Sequence, residues 1–219
     1  MLNKIIKILG KYYYVFLEGL GNTLWLSAVV VLLGCVGGIL VALLRRTKIK
    51  VVDIIMTAFI EIIRGTPVLI QLYFFWVALP KLIPEISDLA CILIALVVNA
   101  SAYISEIFRA GINAVDIGQT EAARSLGMTE RHVMSRIVLP QALKNILPAL
   151  GNEFISTVKG TSLASVFFVG ELTTAYKTVQ SATFLALESL TIAAAIYFLL
   201  NFVLSKLLKI LERRLEASD

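Results

Sequence analysis

Histidine, cysteine and charge are all scarce in this chain. The single histidine, His132, cannot hold a metal ion by itself, and neither a histidine cluster nor an acid dyad is present to serve a membrane-embedded enzyme. The two cysteines, Cys35 and Cys91, lie in apolar runs without CxxC spacing, so they read as small membrane-buried hydrophobes. No GxxxxGK[ST] segment occurs, which excludes the usual phosphate cradle for a nucleotide. Charged residues make up only 16% of the 219. What fills the space is apolar: 58% of residues are hydrophobic, and the mean hydropathy is +0.87. Such content excludes disorder, and no water-soluble globule of this size could hide that much apolar surface. The chain is an integral membrane protein by composition. Its net charge of +5 then reads as loop topology rather than nucleic-acid binding.

A membrane-crossing helix needs about 20 mostly apolar residues. Residues 19–44 contain no charge and form the clearest span, closed by a basic stop of Arg45, Arg46, Lys48 and Lys50. A second run, 54–79, carries Glu61 and Arg64, and Pro67 should kink it. Residues 89–105 form the third, 146–169 the fourth with Glu153 and Lys159 inside it, and 182–205 the fifth, with Glu188 hydrated near its start. Polar turns hold Lys81, Pro84, Glu85 and Asp88, and later Glu171 and Lys177. Ahead of the first span, Leu2, Ile5, Ile6, Leu9, Tyr12, Tyr13 and Phe16 recur at helical steps, with Lys4, Lys7 and Lys11 opposite. That pattern predicts an amphipathic helix over 1–18 at the membrane surface. It lacks the continuous apolar core of a cleaved signal peptide.

With five spans the loops alternate sides. Thirteen Lys and Arg fall on one side: the basic stop, Arg109, Arg124, Arg131, Arg136 and Lys144, and then Lys206, Lys209, Arg213 and Arg214. Five fall on the other: Lys4, Lys7, Lys11, Lys81 and Lys177. The positive-inside rule puts the N-terminus outside and the C-terminus in the cytoplasm.

Residues 109–145 are the longest non-membrane stretch. Their spacing predicts a helix, a left-handed stop at Gly127, and a second helix capped by Thr129 and ended by Pro140. Within this loop Glu121-Ala122-Ala123, Gly127, Ile137 and Leu139-Pro140 reproduce the spacing of the EAA signature of ABC importer permeases. Other segments resemble the polar amino acid branch of that family. These are Arg64-Gly65-Thr66-Pro67 with Gln71-Leu72, Asn99 with Ala102-Tyr103, Glu106-Ile107 and Arg109-Ala110-Gly111, and Gly151-Asn152-Glu153-Phe154-Ile155 with Lys159 and Thr161-Ser162-Leu163. Gly160 departs from the pattern, since the family often has aspartate after the lysine.

The resemblance implies an all-α integral membrane permease of the type I ABC importer fold: one domain over 1–219, five transmembrane helices, the N-terminal amphipathic helix and a cytoplasmic coupling helix. It implies a prokaryotic inner-membrane location and histidine, arginine or glutamine as the kind of substrate. It implies a separate ATPase subunit that binds ATP and Mg, an extracytoplasmic substrate-binding protein, and a second permease copy. A homodimer is the first expectation and a heterodimer the second. No cofactor is expected in this chain. The coupling helix would dock on the ATPase through Glu121, Glu130 and Arg131, with Arg124 and Arg136 on the same mixed-sign rim and with Ala122, Ala123 and Gly127 permitting close approach.

Ionisable groups inside a membrane are costly and mark functional sites. Counting about 1.5 Å per residue along straight spans puts Thr66, Asn99, Glu153 and Lys159 in the middle half of the bilayer. Glu153 is the leading candidate for the cationic end of a substrate, the alternative being an ion pair with a membrane lysine or arginine. It cannot meet Lys159 across one helix face, because positions six apart do not face each other. Lys159 could hold a substrate carboxylate or a structural partner. Glu61 and Arg64, three apart, read better as a structural ion pair. Asn99 and Gln71 either line a pocket or bond between helices. Tyr73 is the one aromatic kept as a site candidate. The expected cargo is a polar amino acid, leaning basic, with glutamine or another neutral polar amino acid as the alternative. A channel would need a ring of like charge or a carbonyl filter, which the sequence lacks.

Overall fold

The computed structural model of the protein describes residues 1–47 and 49–216. Lys48 of the expected basic stop, and 217–219 at the end of the expected domain, lie outside the described residues. Among those described the chain is all-helical. The elements are α1 (Leu2–Arg45), α2 (Lys50–Gly65), α3 (Val68–Leu82), α4 (Asp88–Asn113), α5 (Ile117–Ser125) and α6 (Glu130–Val133), followed by a π-helical turn (Met134–Val138). Then come α7 (Leu139–Gly160), a 3-10 segment (Thr161–Phe167), α8 (Leu172–Thr183) and α9 (Ala186–Glu216).

α1, α4 and α9 are each long and apolar enough to cross a bilayer, and α2 with α3 would make a fourth crossing if the bent pair is one span. The pair is bent by 111°, a full break rather than a kink. α7 has 22 residues, enough for a crossing by length. It carries Lys144, Glu153 and Lys159 and packs against α1, α4 and α9.

The N-terminal segment departs from expectation. Nothing between Leu2 and Arg45 stops a helix, so α1 runs unbroken for 44 residues. That is about 66 Å, against a hydrocarbon core about 30 Å thick. Its first turns do not lie apart as a surface helix. Ile8 and Phe16 are buried against Leu172, Ala175 and Val179 of α8 and Ile192 and Ala193 of α9, while Leu2, Ile6 and Tyr13 stay exposed. The expected apolar stripe therefore splits, one half covered by protein. Glu188 is no hydrated end residue: Lys4 pairs with it at 3.7 Å. Glu171, expected in a polar turn, precedes α8 and is buried. It is 1% exposed and caps α8, its two oxygens accepting from Thr173 N–H and Thr174 N–H at 2.8 Å each. The Tyr197 hydroxyl on α9 donates to it at 2.8 Å.

α1 and α4 form the closest seam. A Cβ placed on Gly34 would stand 2.8 Å from Ala100 Cβ, and one on Gly38 would stand 2.8 Å from Ile104 Cγ2 and 2.9 Å from the Ser105 backbone nitrogen. Gly34 and Gly38 are four apart, so their bare backbone forms one flat strip along α1. Small residues at this spacing let membrane helices approach closely and replace side-chain interdigitation with direct contact. Leu26 and Val30 of α1 and Ile92, Ala95 and Leu96 of α4 continue the core from that strip.

The expected second helix of the loop is not ended by Pro140. α6, the π turn and α7 follow one another without a gap from Glu130 to Gly160, and Pro140 sits in the first turn of α7. Proline is tolerated in a first turn, and the wider π turn before it absorbs the missing N–H. Because α4 extends to Asn113 and α7 begins at Leu139, the segment between them is 114–138 rather than 109–145.

Gly38→Leu tests the seam. Because the neighbour is α4 backbone, it cannot yield, and overpacking should cost about 1–3 kcal/mol. The expected result is a lower melting temperature of the purified protein in detergent than that of Gly10→Ala, where a Cβ meets nothing within 4 Å.

Candidate substrate cavity and coupling knob

The break between α2 and α3 is where the chain turns polar. Thr66 and Pro67 adopt extended backbone (φ −116°, ψ 145° and φ −61°, ψ 133°), so neither can continue a helix. A helix end away from water needs partners for its carbonyls. Gln71 on α3 supplies them. Its Nε2 donates to Ile63 O at 2.7 Å, to Thr66 O at 3.2 Å and to Thr66 Oγ1 at 2.8 Å. Its Oε1 accepts from Asn99 Nδ2 of α4 at 2.9 Å. The Thr66 hydroxyl in turn donates to Ile62 O at 2.9 Å. Gln71 is 6% exposed and holds the break without facing the cavity beside it.

That cavity has a volume of about 340 Å³. Its polar wall is Thr66 from the break, Asn99 and Tyr103 from α4, and Glu153, Ser156 and Thr157 from α7. Three of the sequence candidates therefore meet here: Thr66, Asn99 and Glu153. Among the described residues Glu153 has no hydrogen-bond or ion-pair partner, so the expected alternative of a structural ion pair is absent. Lys159 lies outside the cavity on an exposed face. Tyr73 is also outside: its ring meets Phe167 edge-on at 4.8 Å, and it borders an apolar groove with Phe74 and Val77. The residues missed by sequence reasoning are Tyr103, Ser156 and Thr157. Ser156 and Thr157 follow Glu153 by one helical turn, a spacing that could have placed them on its face.

A second cavity, about 510 Å³, adjoins the first and shares Tyr103 and Glu153 with it. Arg64, Glu106 and Arg109 also line it. The expected Glu61–Arg64 pair does not form. Arg64 instead faces Glu106 at 3.6 Å, and its guanidinium lies 5.4 Å over the Tyr103 ring. Glu106 is the meeting point of three arginines. Arg45 Nη1 donates to its Oε1 at 2.9 Å, and Arg109 grips both oxygens, Nε to Oε1 at 2.9 Å and Nη2 to Oε2 at 2.7 Å.

The knob at 114–138 has its own small core of Ala123, Val133 and Val138. Asp116 caps α5 by accepting from Gly118 N–H at 2.7 Å, and Thr129 caps α6 by accepting from His132 N–H at 3.4 Å. Gly127 takes φ +80° after α5, the left-handed conformation that costs any other L-residue about 1–2 kcal/mol. Arg124 clamps Glu130 with two bonds of 2.6 and 2.9 Å, tying α5 to α6. Glu121, Ala122, Gly127, Glu130 and Arg131 are exposed, but Ala123 is buried in the knob core and cannot touch a partner. Two apolar side chains that sequence reasoning did not single out stand in the open, Ile117 at 71% and Leu126 at 84% exposure.

An apolar helical bundle thus carries a half-open cavity with a carboxylate, an amide and hydroxyls on its wall, and a charged knob between α4 and α7. The chain belongs to the family of binding-protein-dependent transport system inner membrane components, whose pattern matches residues 13–217. It is 37% identical to the arginine transport system permease protein ArtQ of Bacillus subtilis, with 93% of each chain covered. It is 35% identical to the glutamine transport system permease protein GlnP of Escherichia coli, covering 91% of this chain and 92% of that one. Among solved structures it is similar to a chain from a crystal structure of an amino acid ABC transporter with histidines, with a TM-score of 0.91 and 44% identity over 94% of this chain and 96% of that one.

Gln71→Leu keeps the volume but strips the break of its donors and Asn99 of its acceptor. Each buried polar group so abandoned costs about 1–3 kcal/mol. A clear fall in melting temperature is expected, together with loss of amino acid binding; a variant as stable as the parent would show that the break holds without Gln71.

Proposed function

We propose that this chain is the permease subunit of an ATP-driven amino acid importer, carrying a polar amino acid of basic character by alternating access. The observation that carries the reading is Glu153, a carboxylate on a cavity wall with Asn99 and Thr66 and no partner from the protein among the described residues. An ammonium or guanidinium group on the cargo is the natural counter-charge for an acid that the protein leaves without a partner. The similarity to an arginine permease and to a transporter solved with histidines supports the basic preference. Glutamine is the second reading, favoured by the similarity to GlnP, and Asn99 could bond its amide.

ATP hydrolysis belongs to a separate subunit that binds ATP and Mg. This chain contributes the knob, with Glu121, Ala122, Gly127, Glu130 and Arg131 toward the ATPase and Ile117 and Leu126 as apolar contacts beside them. The continuous path from α6 through the π turn into α7 gives the coupling its mechanics. A push on the knob at Glu130 travels along one helical run to Glu153, and α5 is joined through residues 114–116 to α4 with Asn99 and Tyr103. An extracytoplasmic substrate-binding protein delivers the cargo, and a second copy of the permease completes the pathway as a homodimer. The excess of Lys and Arg on the knob side puts knob and C-terminus in the cytoplasm and the N-terminus outside.

The test is uptake in proteoliposomes that hold the complete complex. Unlabelled arginine should compete for labelled arginine at least tenfold better than glutamine does, and Glu153→Gln should cut arginine uptake by about 10- to 100-fold, the worth of one charge-assisted bond. Competition by glutamine equal to or better than that by arginine overturns the basic preference. Unchanged arginine uptake in Glu153→Gln overturns the role of Glu153.

A further inference from the structure

The second cavity contains a cation whose charge nothing in the protein fully uses. Glu106 has two oxygens, and both are already taken: Oε1 by Arg45 and Arg109, Oε2 by Arg109. Arg64 comes third. Its Nη1 stands 3.6 Å from Oε2, too far for a hydrogen bond, and its guanidinium makes no hydrogen bond among the described residues. Arg45 also pairs with Asp53 at 3.4 Å, a residue that does not line this cavity, so three arginines against two carboxylates still leave a net positive charge. Arg109 spends its fork on Glu106, so the spare donors are those of Arg64. The Tyr103 ring beneath it fixes the guanidinium by a cation–π contact at 5.4 Å, which limits the conformational freedom that binding would otherwise cost. The side chain is 45% exposed.

Arg64 and Glu153 line the same cavity of about 510 Å³, and Tyr103 stands between that space and the first cavity. The two charges are opposite: Glu153 has no partner among the described residues, and Arg64 has only the 3.6 Å approach to a carboxylate shared with two other arginines, which leaves its N–H donors free. An amino acid carries the matching pair: a carboxylate on its α-carbon and a cation on its α-nitrogen or side chain. We infer that Arg64 is the residue that binds the α-carboxylate of the transported amino acid, with Glu153 holding its cationic end. This inference rests on the function proposed above and adds to it the group that distinguishes an amino acid from a simple amine. It also replaces the expected role of Lys159, which lines neither cavity. A planar guanidinium fork suits a carboxylate better than an ammonium does, so lysine is not an equivalent at this position.

The experiment compares L-arginine with agmatine, the same molecule without its carboxylate, by calorimetric titration of the purified permease–ATPase complex in nanodiscs, without the substrate-binding protein. The parent complex should bind arginine about 10- to 100-fold tighter than agmatine, as one charge-assisted carboxylate contact provides. Arg64→Gln should bring the two ligands to within about threefold while agmatine binding itself changes little. Arg64→Lys should lose at least about threefold of the preference, and it decides the matter should the glutamine variant fail to assemble. Arg45→Gln loosens the same Glu106 cluster without touching the cavity's spare cation, and it should keep the full preference. A parent complex indifferent to the carboxylate, an unchanged preference in either Arg64 variant, or a loss as large in Arg45→Gln each overturns the inference and leaves the transport function standing. A parent complex that binds neither arginine nor glutamine overturns the proposed function, and the inference with it.

Discussion

A polypeptide that stops being helical inside a membrane must find its own hydrogen-bond partners, because lipid offers none. This requirement governs the break between α2 and α3. One side chain meets most of it: Gln71 donates to two backbone carbonyls and the Thr66 hydroxyl, and accepts from Asn99 on the neighbouring helix. The bend of 111° follows from the extended backbone at Thr66 and Pro67, and the cavity follows from the bend. Had α2 continued straight into α3, no open wall would face Asn99 and Glu153. The apolar seam of α1 and α4 provides the rigid back against which this irregular half is built, and it does so with glycine backbone instead of large side chains.

Charge is distributed with the same economy. The carboxylates most withdrawn from the surface are partnered: Glu171 by two backbone N–H groups and Tyr197, Glu106 by Arg45 and Arg109. Against that background Glu153 and Arg64 stand out because the protein leaves them short of partners. Both line the second cavity, and Arg64 and Glu153 sit on helices joined to the break and to the knob respectively. Structural ion pairs accumulate at the ends of α1, α2 and α4, where they tie helices together, whereas Glu153 and the free donors of Arg64 face the cavity.

Much of this was legible in the amino-acid order. Apolar runs located α1, α4 and α9, and the Gly127 stop and Thr129 cap were readable because left-handed backbone and N-caps have strong residue preferences. Thr66, Asn99 and Glu153 could be placed together because rise per residue converts sequence position into depth. The failures have physical causes. Position along a straight helix says nothing about which face a residue occupies, so Lys159 and Tyr73 were grouped with the cavity although they point elsewhere. Spacing on one helix suggested Glu61 for Arg64, but the stronger partner came from another helix, which a single sequence does not reveal. Amphipathic periodicity in residues 1–18 was read as a lipid surface, whereas α8 and α9 cover part of that face. Pro140 was read as a stop because the π turn that accommodates it has no clear residue signature. Gly34 and Gly38 were passed over because in an uncharged run small residues look like filler until a second helix is seen against them.

The break held by Gln71 opens a water-filled cavity, faced by α7, in an otherwise apolar bundle. This can be tested by replacing Cys35 and Cys91 with alanine, introducing single cysteines at Ser156 on the cavity wall or at the exposed apolar position Phe198 on α9, and treating the reconstituted complex with a membrane-impermeant thiol reagent. Labelling at 156 should be rapid and suppressed by arginine, with none at 198. Equal labelling at the two positions, or labelling at 156 that no amino acid slows, would contradict it.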